Sequence, residues 1–319
     1  MPHVLVAGRI HPAGLGLLEA APDVTVEIVE EVSEAAYVPR IAGAHGLILR
    51  TQPLTAATVA AAPKLEVVAR HGVGYDAVDV AALDRRGIPL AIVGDVNAGA
   101  VAEHALMLML AAVKRLGRGD RAVRAGDWAW RNRLEAGELA GRRLLVVGYG
   151  RIGKRVARLA DAFAMDVAVH DPHVPADAFA GEPVTPAPDL AAALAEAEVV
   201  TVHVPKADGA VLGRAELARL PAGAIVVNTA RGGVVDEAAL AEALASGRVA
   251  AAGLDVFEDE PPPVDHPLLA FDQVVLTPHH AGLTAESAER MAVAAARNVL
   301  DHFRGRLDPA LVVNRPAPG

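Results

Sequence analysis

The stretch LLVVGYGRIGKRVARLA, residues 144–160, decides the fold. It begins as an apolar run of strand type and opens into a helix. Between the two, Gly148, Gly150 and Gly153 are spaced G-x-G-x-x-G, in the strand-to-helix context the motif requires. The first glycine permits a tight turn, the second lets a pyrophosphate approach the backbone, and the third lets helix and strand pack closely. The helix start offers N–H groups and the positive end of its dipole to the anion. Asp171 ends the next apolar run, 23 positions after Gly148. A carboxylate there accepts hydrogen bonds from ribose hydroxyls and repels a 2′-phosphate. Pro172 and His173 follow, with no arginine. The expected cofactor is therefore NAD(H) rather than its phosphorylated form.

The same strand–helix rhythm extends in both directions. Upstream, HVLVAG (3–8), VTVEIV (24–29), GLILR (46–50), LEVVAR (65–70) and IPLAIV (88–93) read as strands, with helical stretches around 12–20 and 33–42. A second series starts at RLLVVG (143–148) and continues through DVAVH (166–170), VVTVHV (199–204), AIVVNT (224–229), AAGLDV (251–256) and QVVLT (273–277). Strands alternating with helices predict parallel sheets covered on both faces. The expectation is an α/β protein with two doubly wound parallel-sheet domains, the glycine motif marking the second as a Rossmann domain. Long helices at roughly 98–116 and 284–304 carry the chain between them. The first helix opens after Asn97 and stops at Gly117; the second opens after Thr284. DPALVVN (308–314) returns to the first domain, making it discontinuous: residues 1–97 and 285–319, with 98–284 between. Gly- and Pro-rich segments at 171–188 and 258–267 read as loops.

Composition narrows the function. The chain has 319 residues, 53% of them hydrophobic and 22% charged, which fits two globular cores. The longest apolar stretches, such as ALMLMLAAV at 105–113, are far short of a bilayer span. The start, MPHVLVAGRIHP, lacks a basic segment followed by an apolar run, so no signal peptide is expected. There are no cysteines, which excludes disulfides, a thiolate nucleophile and a Cys-based zinc site. Together these features point to the cytoplasm. A net charge of −9 disfavours nucleic acid as a partner. It also makes any arginine in a cleft a candidate for an anionic substrate.

Six motifs in a fixed order make the chain recognisable: RHGVGYDAVD (70–79), NAGAVAEHALMLML (97–110), VVGYGRIG (146–153), VNTARGGVVDEAAL (227–240), LDVFEDEPP (254–262) and TPHHAG (277–282). The sequence resembles the D-isomer-specific 2-hydroxyacid dehydrogenases, of the phosphoglycerate dehydrogenase and glyoxylate/hydroxypyruvate reductase type. The resemblance runs through nearly the whole chain. It implies a flavodoxin-like fold for the discontinuous domain, which would bind substrate, and hydride exchange between NAD(H) and a small anionic 2-oxo or 2-hydroxy acid.

Carried over by position, the resemblance makes Arg231 the substrate-binding arginine, His279 the acid/base and Glu260 the carboxylate that orients it. Val73 and Gly74 would bind the substrate carboxylate through backbone N–H groups. Asp255 would contact the nicotinamide carboxamide. The remaining cofactor contacts would come from Arg151, Ile152, His203, Pro205 and Ala230, beside the three glycines and Asp171. The chemistry agrees. Hydride addition to a ketone builds negative charge on oxygen, so a proton donor and a cation are needed. Arginine's planar fork suits a carboxylate, and Glu260 can fix the tautomer of His279. All three residues follow predicted strands, at the edge where open α/β sheets bind ligands. Glu260 also argues against the formate-oxidising branch, which carries Gln before that proline.

Two departures stand out. After His203 and Pro205 the family often has a Thr-containing stretch; here Lys206, Ala207 and Asp208 follow. The chain also ends without the regulatory extension of some relatives, so serine feedback is not expected. DWAWRNR (127–133) either borders a neighbouring subunit's pocket or is a plain loop. Helix 98–116 is apolar on most faces, through Val101, Ala105, Leu106, Met107, Leu108, Met109 and Leu110. One face is expected on its own sheet and another on a twin subunit, giving a homodimer. The alternative is a dinucleotide-sensing, corepressor-like scaffold without turnover. A metal site at His279 and His280 is disfavoured, because adjacent histidines do not face one ion as an i, i+4 pair does.

Overall fold

Apolar runs with no polar face become strands buried on both sides, and the first strand is typical: Val4, Leu5, Val6 and Ala7 are all 0% exposed. The computed structural model describes residues 1–206 and 208–314. Residues 315–319, assigned above to the first domain, and Ala207 lie outside the described residues. The chain forms two compact units, Met1–Asn97 with the chain from Leu283 onward, and Ala98–Gly282.

The first unit begins with β1 (His3–Ala7), α1 (Pro12–Glu19), β2 (Thr25–Val29), α2 (Glu34–Ile41), β3 (Gly46–Leu49), α3 (Ala56–Ala60), β4 (Val67–Arg70), α4 (Val80–Arg85) and β5 (Leu90–Ala91). The second contains α5 (Ala98–Val113), α6 (Leu116–Arg124), β6 (Arg143–Val147), α7 (Arg151–Ala162), β7 (Asp166–His170), β8 (Thr185–Pro186), α8 (Leu190–Glu196), β9 (Val199–Val202), α9 (Arg214–Arg219), β10 (Ala224–Asn228), α10 (Glu237–Ala245), β11 (Val249–Leu254) and β12 (Val274–Leu276). The helix α11 (Ala285–Phe303) then returns the chain to the first unit.

Both sheets are parallel. The first has the order β2-β1-β3-β4-β5, the flavodoxin-like arrangement. Alternate residues feed opposite faces. Leu5, Leu47, Leu49 and Val68 pack with Tyr37 and Ile41 of α2 and Leu83 of α4. Val4, Val6, Ile48 and Val67 pack with Leu18 of α1 and with Met291, Ala295 and Val299 of α11. Thr284 caps α11, its Oγ1 accepting the Ser287 N–H at 3.1 Å.

The second sheet has the order β12-β11-β10-β9-β6-β7-β8. Numbered from β6, that is the Rossmann order 3-2-1-4-5-6 with a seventh strand added, and the order reverses between β6 and β9. On one face Leu145, Val200 and Val226 meet Leu194 of α8, Leu217 of α9 and Leu240 of α10. On the other, Leu144, Val167 and Ile225 meet Leu108 and Met109 of α5 and Val156 of α7. No helix among the described residues is long and apolar enough to cross a membrane.

Three expectations change. The helix expected at 98–116 stops at Val113; Arg115 adopts a left-handed backbone, φ 54°, and α6 begins after it. Arg115 is held there by donating to the Ala250 carbonyl at 2.7 Å. The apolar faces of α5 are mostly covered: Val101 is buried, Ala105, Leu106, Leu108 and Met109 are buried in the core of their own unit, and Met107 is exposed. Finally, β8 forms inside the segment read as a loop at 171–188. It is two residues long and holds a proline, which an edge strand tolerates.

The C-terminal segment is held by backbone bonds, the Ile92 N–H to the Leu311 carbonyl at 2.9 Å and the Val313 N–H to the Leu90 carbonyl at 3.0 Å, and by one buried side chain. Asn314 accepts the Leu90 N–H at 2.7 Å and donates to the Ile88 carbonyl and Asp84 Oδ1, both at 2.9 Å. Asn314→Ala strands buried backbone groups. We expect it to destabilise the first unit by about 2 kcal/mol, read as a lower urea midpoint; an unchanged midpoint would show that water replaces the clamp.

Candidate active site

The glycine loop lies at the switch point between β6 and β9. Gly148 has φ 96°, and a Cβ there would stand 2.7 Å from the His203 carbonyl oxygen. A Cβ on Gly153 would overlap the Gly148 carbonyl oxygen. At Gly150 a Cβ would meet nothing within 4 Å. Gly150 is also the N-cap of α7 and offers that helix no side-chain cap. An open helix start beside a glycine turn fits a diphosphate, which the α7 dipole and first-turn N–H groups would hold. Arg151 is exposed on that turn, and Ile152 packs partly into the core below it.

Asp171 follows β7. Its Oδ2 accepts the Tyr149 N–H at 2.8 Å and its Oδ1 accepts the His173 N–H at 2.9 Å. The carboxylate is thereby tied to the glycine loop, and each oxygen keeps acceptor capacity for a ribose hydroxyl. His203 follows β9. Its Nε2 is 3.0 Å from Thr201 Oγ1, and its Nδ1 is sealed from solvent with no partner among the described residues. Desolvation pushes this imidazole down to about 3, so it stays neutral. Pro205 and Lys206 are exposed. The Lys206 Cε lies 3.9 Å from where a Gly233 Cβ would be, so this side chain runs toward the Arg231 turn.

Three successive strands deliver the catalytic candidates to one edge. After β10, Asn228 shapes the turn: its Oδ1 accepts the Ala230 N–H and its Nδ2 donates to the Arg231 carbonyl, both at 2.9 Å. Arg231 Nη1 donates to the Ala230 carbonyl at 2.7 Å. A Cβ on Gly232 would overlap the Phe257 carbonyl, so this turn lies directly on the segment after β11. There Glu260 Oε1 accepts the Phe257 N–H at 3.0 Å, and Oε2 is 2.6 Å from His279 Nδ1. His279, after β12, is half exposed, with the other ring nitrogen left for a reacting group.

Asp255, expected at the nicotinamide, is held by hydrogen bonds within its own unit. It is 1% exposed. Its Oδ1 accepts the Thr277 hydroxyl at 2.6 Å and the His280 N–H at 3.0 Å, and its Oδ2 accepts the Ala281 N–H at 2.9 Å. The carboxylate thereby anchors the turn that carries His279. The two histidines also part company: the His280 ring stands edge-on to His104, centroids 5.0 Å apart, away from Glu260.

Val73 and Gly74 belong to the first unit, on the turn after β4. The Gly72 carbonyl there accepts the Val93 N–H at 3.3 Å, and the Val73 side chain packs partly into the core. The neighbouring His71 is pushed down to about 4, by burial first and then by Arg50 and Arg70. Sequence reasoning missed His104, Thr277 and Asn228. The available signal was a histidine within the apolar helix at 98–113.

The Asp171 placement yields a cofactor test. NADH should exceed NADPH by at least about tenfold in kcat/KM, and Asp171→Ser should narrow that ratio. Equal efficiency for both cofactors in the parent would contradict it.

Residues 106–281 match the family model described as the D-isomer specific 2-hydroxyacid dehydrogenase, NAD binding domain. A glyoxylate reductase of Korarchaeum cryptofilum is 38% identical over 318 residues, covering 98% of this chain and 96% of that one. A D-3-phosphoglycerate dehydrogenase of Methanocaldococcus jannaschii is 35% identical over 319 residues; the alignment takes in 99% of this chain but 60% of that relative's length. A crystal structure of a Thermus thermophilus protein superposes with a TM-score of 0.87 at 37% identity, over 96% of this chain and 98% of the other. The chain belongs to the D-isomer specific 2-hydroxyacid dehydrogenase family and carries that family's NAD-binding domain.

Proposed function

We propose that the protein reduces a small 2-oxo acid to its D-2-hydroxy acid with NADH, acting as a cytoplasmic homodimer. The observation that carries the reading is the 2.6 Å contact of His279 Nδ1 with Glu260 Oε2, at the strand edge that also bears Arg231. Bound nicotinamide supplies the hydride. His279, its Nδ1 engaged by Glu260, delivers a proton from Nε2 to the carbonyl oxygen. Glu260 sets the tautomer and offsets the imidazolium charge. Arg231 binds the substrate carboxylate and polarises the carbonyl. In the first unit, Val73 and Gly74 would offer backbone donors to a carboxylate. Asp255, Ala230, His203 and Pro205 line the cofactor side.

Turnover of a panel of 2-oxo acids, followed by loss of reduced-cofactor absorbance, tests the reading. Absence of turnover on all of them favours the scaffold alternative. With the best substrate, His279→Ala should lose about a hundredfold or more in kcat, and His280→Ala far less. The reverse order would refute the assignment of the donor.

The dimer is proposed through α6 and the 3-10 turn Trp128–Arg133 rather than through α5. Neither segment buries any residue within its unit. Leu116, Val123, Trp128 and Leu134 are 59, 60, 66 and 86% exposed, apolar side chains that a partner would cover. Light scattering at micromolar concentration should give twice the 32.9 kDa chain mass, and Val123→Asp with Leu134→Asp should give the single mass. A monomeric parent would overturn the proposal.

A further inference from the structure

We propose that His104 is a positioning residue for the proton donor: acting through the Thr277 hydroxyl and the Asp255 carboxylate, it fixes the 277–281 turn so that His279 is held against Glu260. The inference rests on the reading of His279 as the donor.

The turn needs holding. His279 has φ 48°, a left-handed backbone that a non-glycine residue keeps only where its surroundings over-determine it. Asp255 provides that. Its main-chain carbonyl accepts the His279 N–H at 2.8 Å, and its carboxylate accepts the N–H groups of His280 and Ala281. Three consecutive N–H groups thus end on one residue. The Asp255 carboxylate must in turn keep one orientation, and Thr277 and His104 set it.

The direction of each hydrogen bond follows from the donor inventory. Asp255 only accepts, so the Thr277 hydroxyl donates to Oδ1 at 2.6 Å. That hydroxyl has no second proton, so it accepts from His104 Nε2 at 3.0 Å. His104 Nε2 also lies 3.5 Å from Asp255 Oδ1. His104 must therefore carry its proton on Nε2. Its pKa is lowered, by burial first, with Asp255 opposing and the nearby His280 reinforcing the shift, so a neutral ring is its state at neutral pH. The ring of His280 stands edge-on against it.

The far end of this chain of bonds is anchored. His104 projects from α5, whose Leu108 is so close to β11 that a Cβ on Gly253 would lie 2.7 Å from the Leu108 Cβ. A helix fixed that tightly is a fitting reference for a turn that must not drift. Reacting groups must be aligned within fractions of an ångström, so loss of the chain of bonds acts on kcat before it acts on binding. The side chains of His104, Asp255 and His280 bring ligand-type atoms within 4.8 Å of one another. The hydrogen bonds already account for that grouping, because Asp255 Oδ1 is committed to Thr277 and to the His280 N–H.

The test uses the full chain, NADH and the best 2-oxo acid from the panel, with NADH-binding sites counted by fluorescence titration. The variants are His104→Leu, His104→Gln, Thr277→Val, Thr277→Ser and His279→Asn. His104→Leu and Thr277→Val should lower kcat per binding site about tenfold, with both KM values within about twofold of the parent. The primary deuterium isotope effect with 4-deuterated NADH should rise, because the chemical step has become slower. His104→Gln and Thr277→Ser, which keep a donor and a hydroxyl, should recover most of the loss. Parent-like kcat and isotope effect in His104→Leu would overturn the proposal. So would a Gln variant as damaged as the Leu variant, or a fall in rate matched by lost binding sites, since either marks a packing role alone. Loss of parent activity on chelation, restored by zinc, would overturn it in favour of a metal site. If His279→Asn keeps the parent rate, the donor assignment itself is what fails, and this inference falls with it.

Discussion

A carboxylate that is 1% exposed has to be satisfied by hydrogen bonds, because a buried and unpaired charge is far too costly to keep. Asp255 meets that demand with the Thr277 hydroxyl and two N–H groups of the following turn, while its own N–H donates to the Asn228 carbonyl at 3.0 Å. Asn228 in turn shapes the Arg231 turn through both of its side-chain polar groups. One connected set of bonds therefore runs across the ends of β10, β11 and β12. It fixes the main chain at Arg231 and at His279, and the separate bond from Phe257 N–H fixes Glu260. Parallel strands make this possible, since neighbours in such a sheet end at the same edge.

The distribution of cationic groups follows from the same burial. His203 and His71 are kept neutral by desolvation, so neither adds a cation to its unit. In a chain of net charge −9, Arg231 then stands at the strand edge as a positive group held by defined partners. The glycine loop draws on another source, the dipole of α7, for the diphosphate. The second strand set thus presents two anion-attracting regions, one built from backbone and one from side chains.

Much of this was legible in the sequence. Apolar runs bounded by Gly, Pro and Asp gave eleven strands to within a residue or two at most ends, because fully buried parallel strands have no polar face to confuse them. Gly148, Gly150 and Gly153 could be read individually, since each answers a separate steric need. Other features were hidden. The break at Arg115 occurs without a glycine or proline, in a residue held by a carbonyl 135 positions away. The apolar surface of the helix expected at 98–116 suggested a twin subunit; Ala105, Leu106, Leu108 and Met109 of it pack in the core of their own unit. For Asp255, position within a motif said nothing about its burial or about the turn that its carboxylate holds. His104 and Thr277 carry no local pattern; only the meeting of α5 with the end of β12 makes them a pair.

The central claim is that Glu260 accepts a hydrogen bond from Nδ1 of His279, leaving Nε2 to serve the substrate. Histidine-selective nitrogen-15 NMR reads this directly, with the ring signals assigned through His279→Asn. The account predicts a protonated Nδ1 with a strongly downfield proton that disappears in Glu260→Gln. A bare Nδ1 in the parent, or a downfield proton indifferent to Glu260, would contradict it.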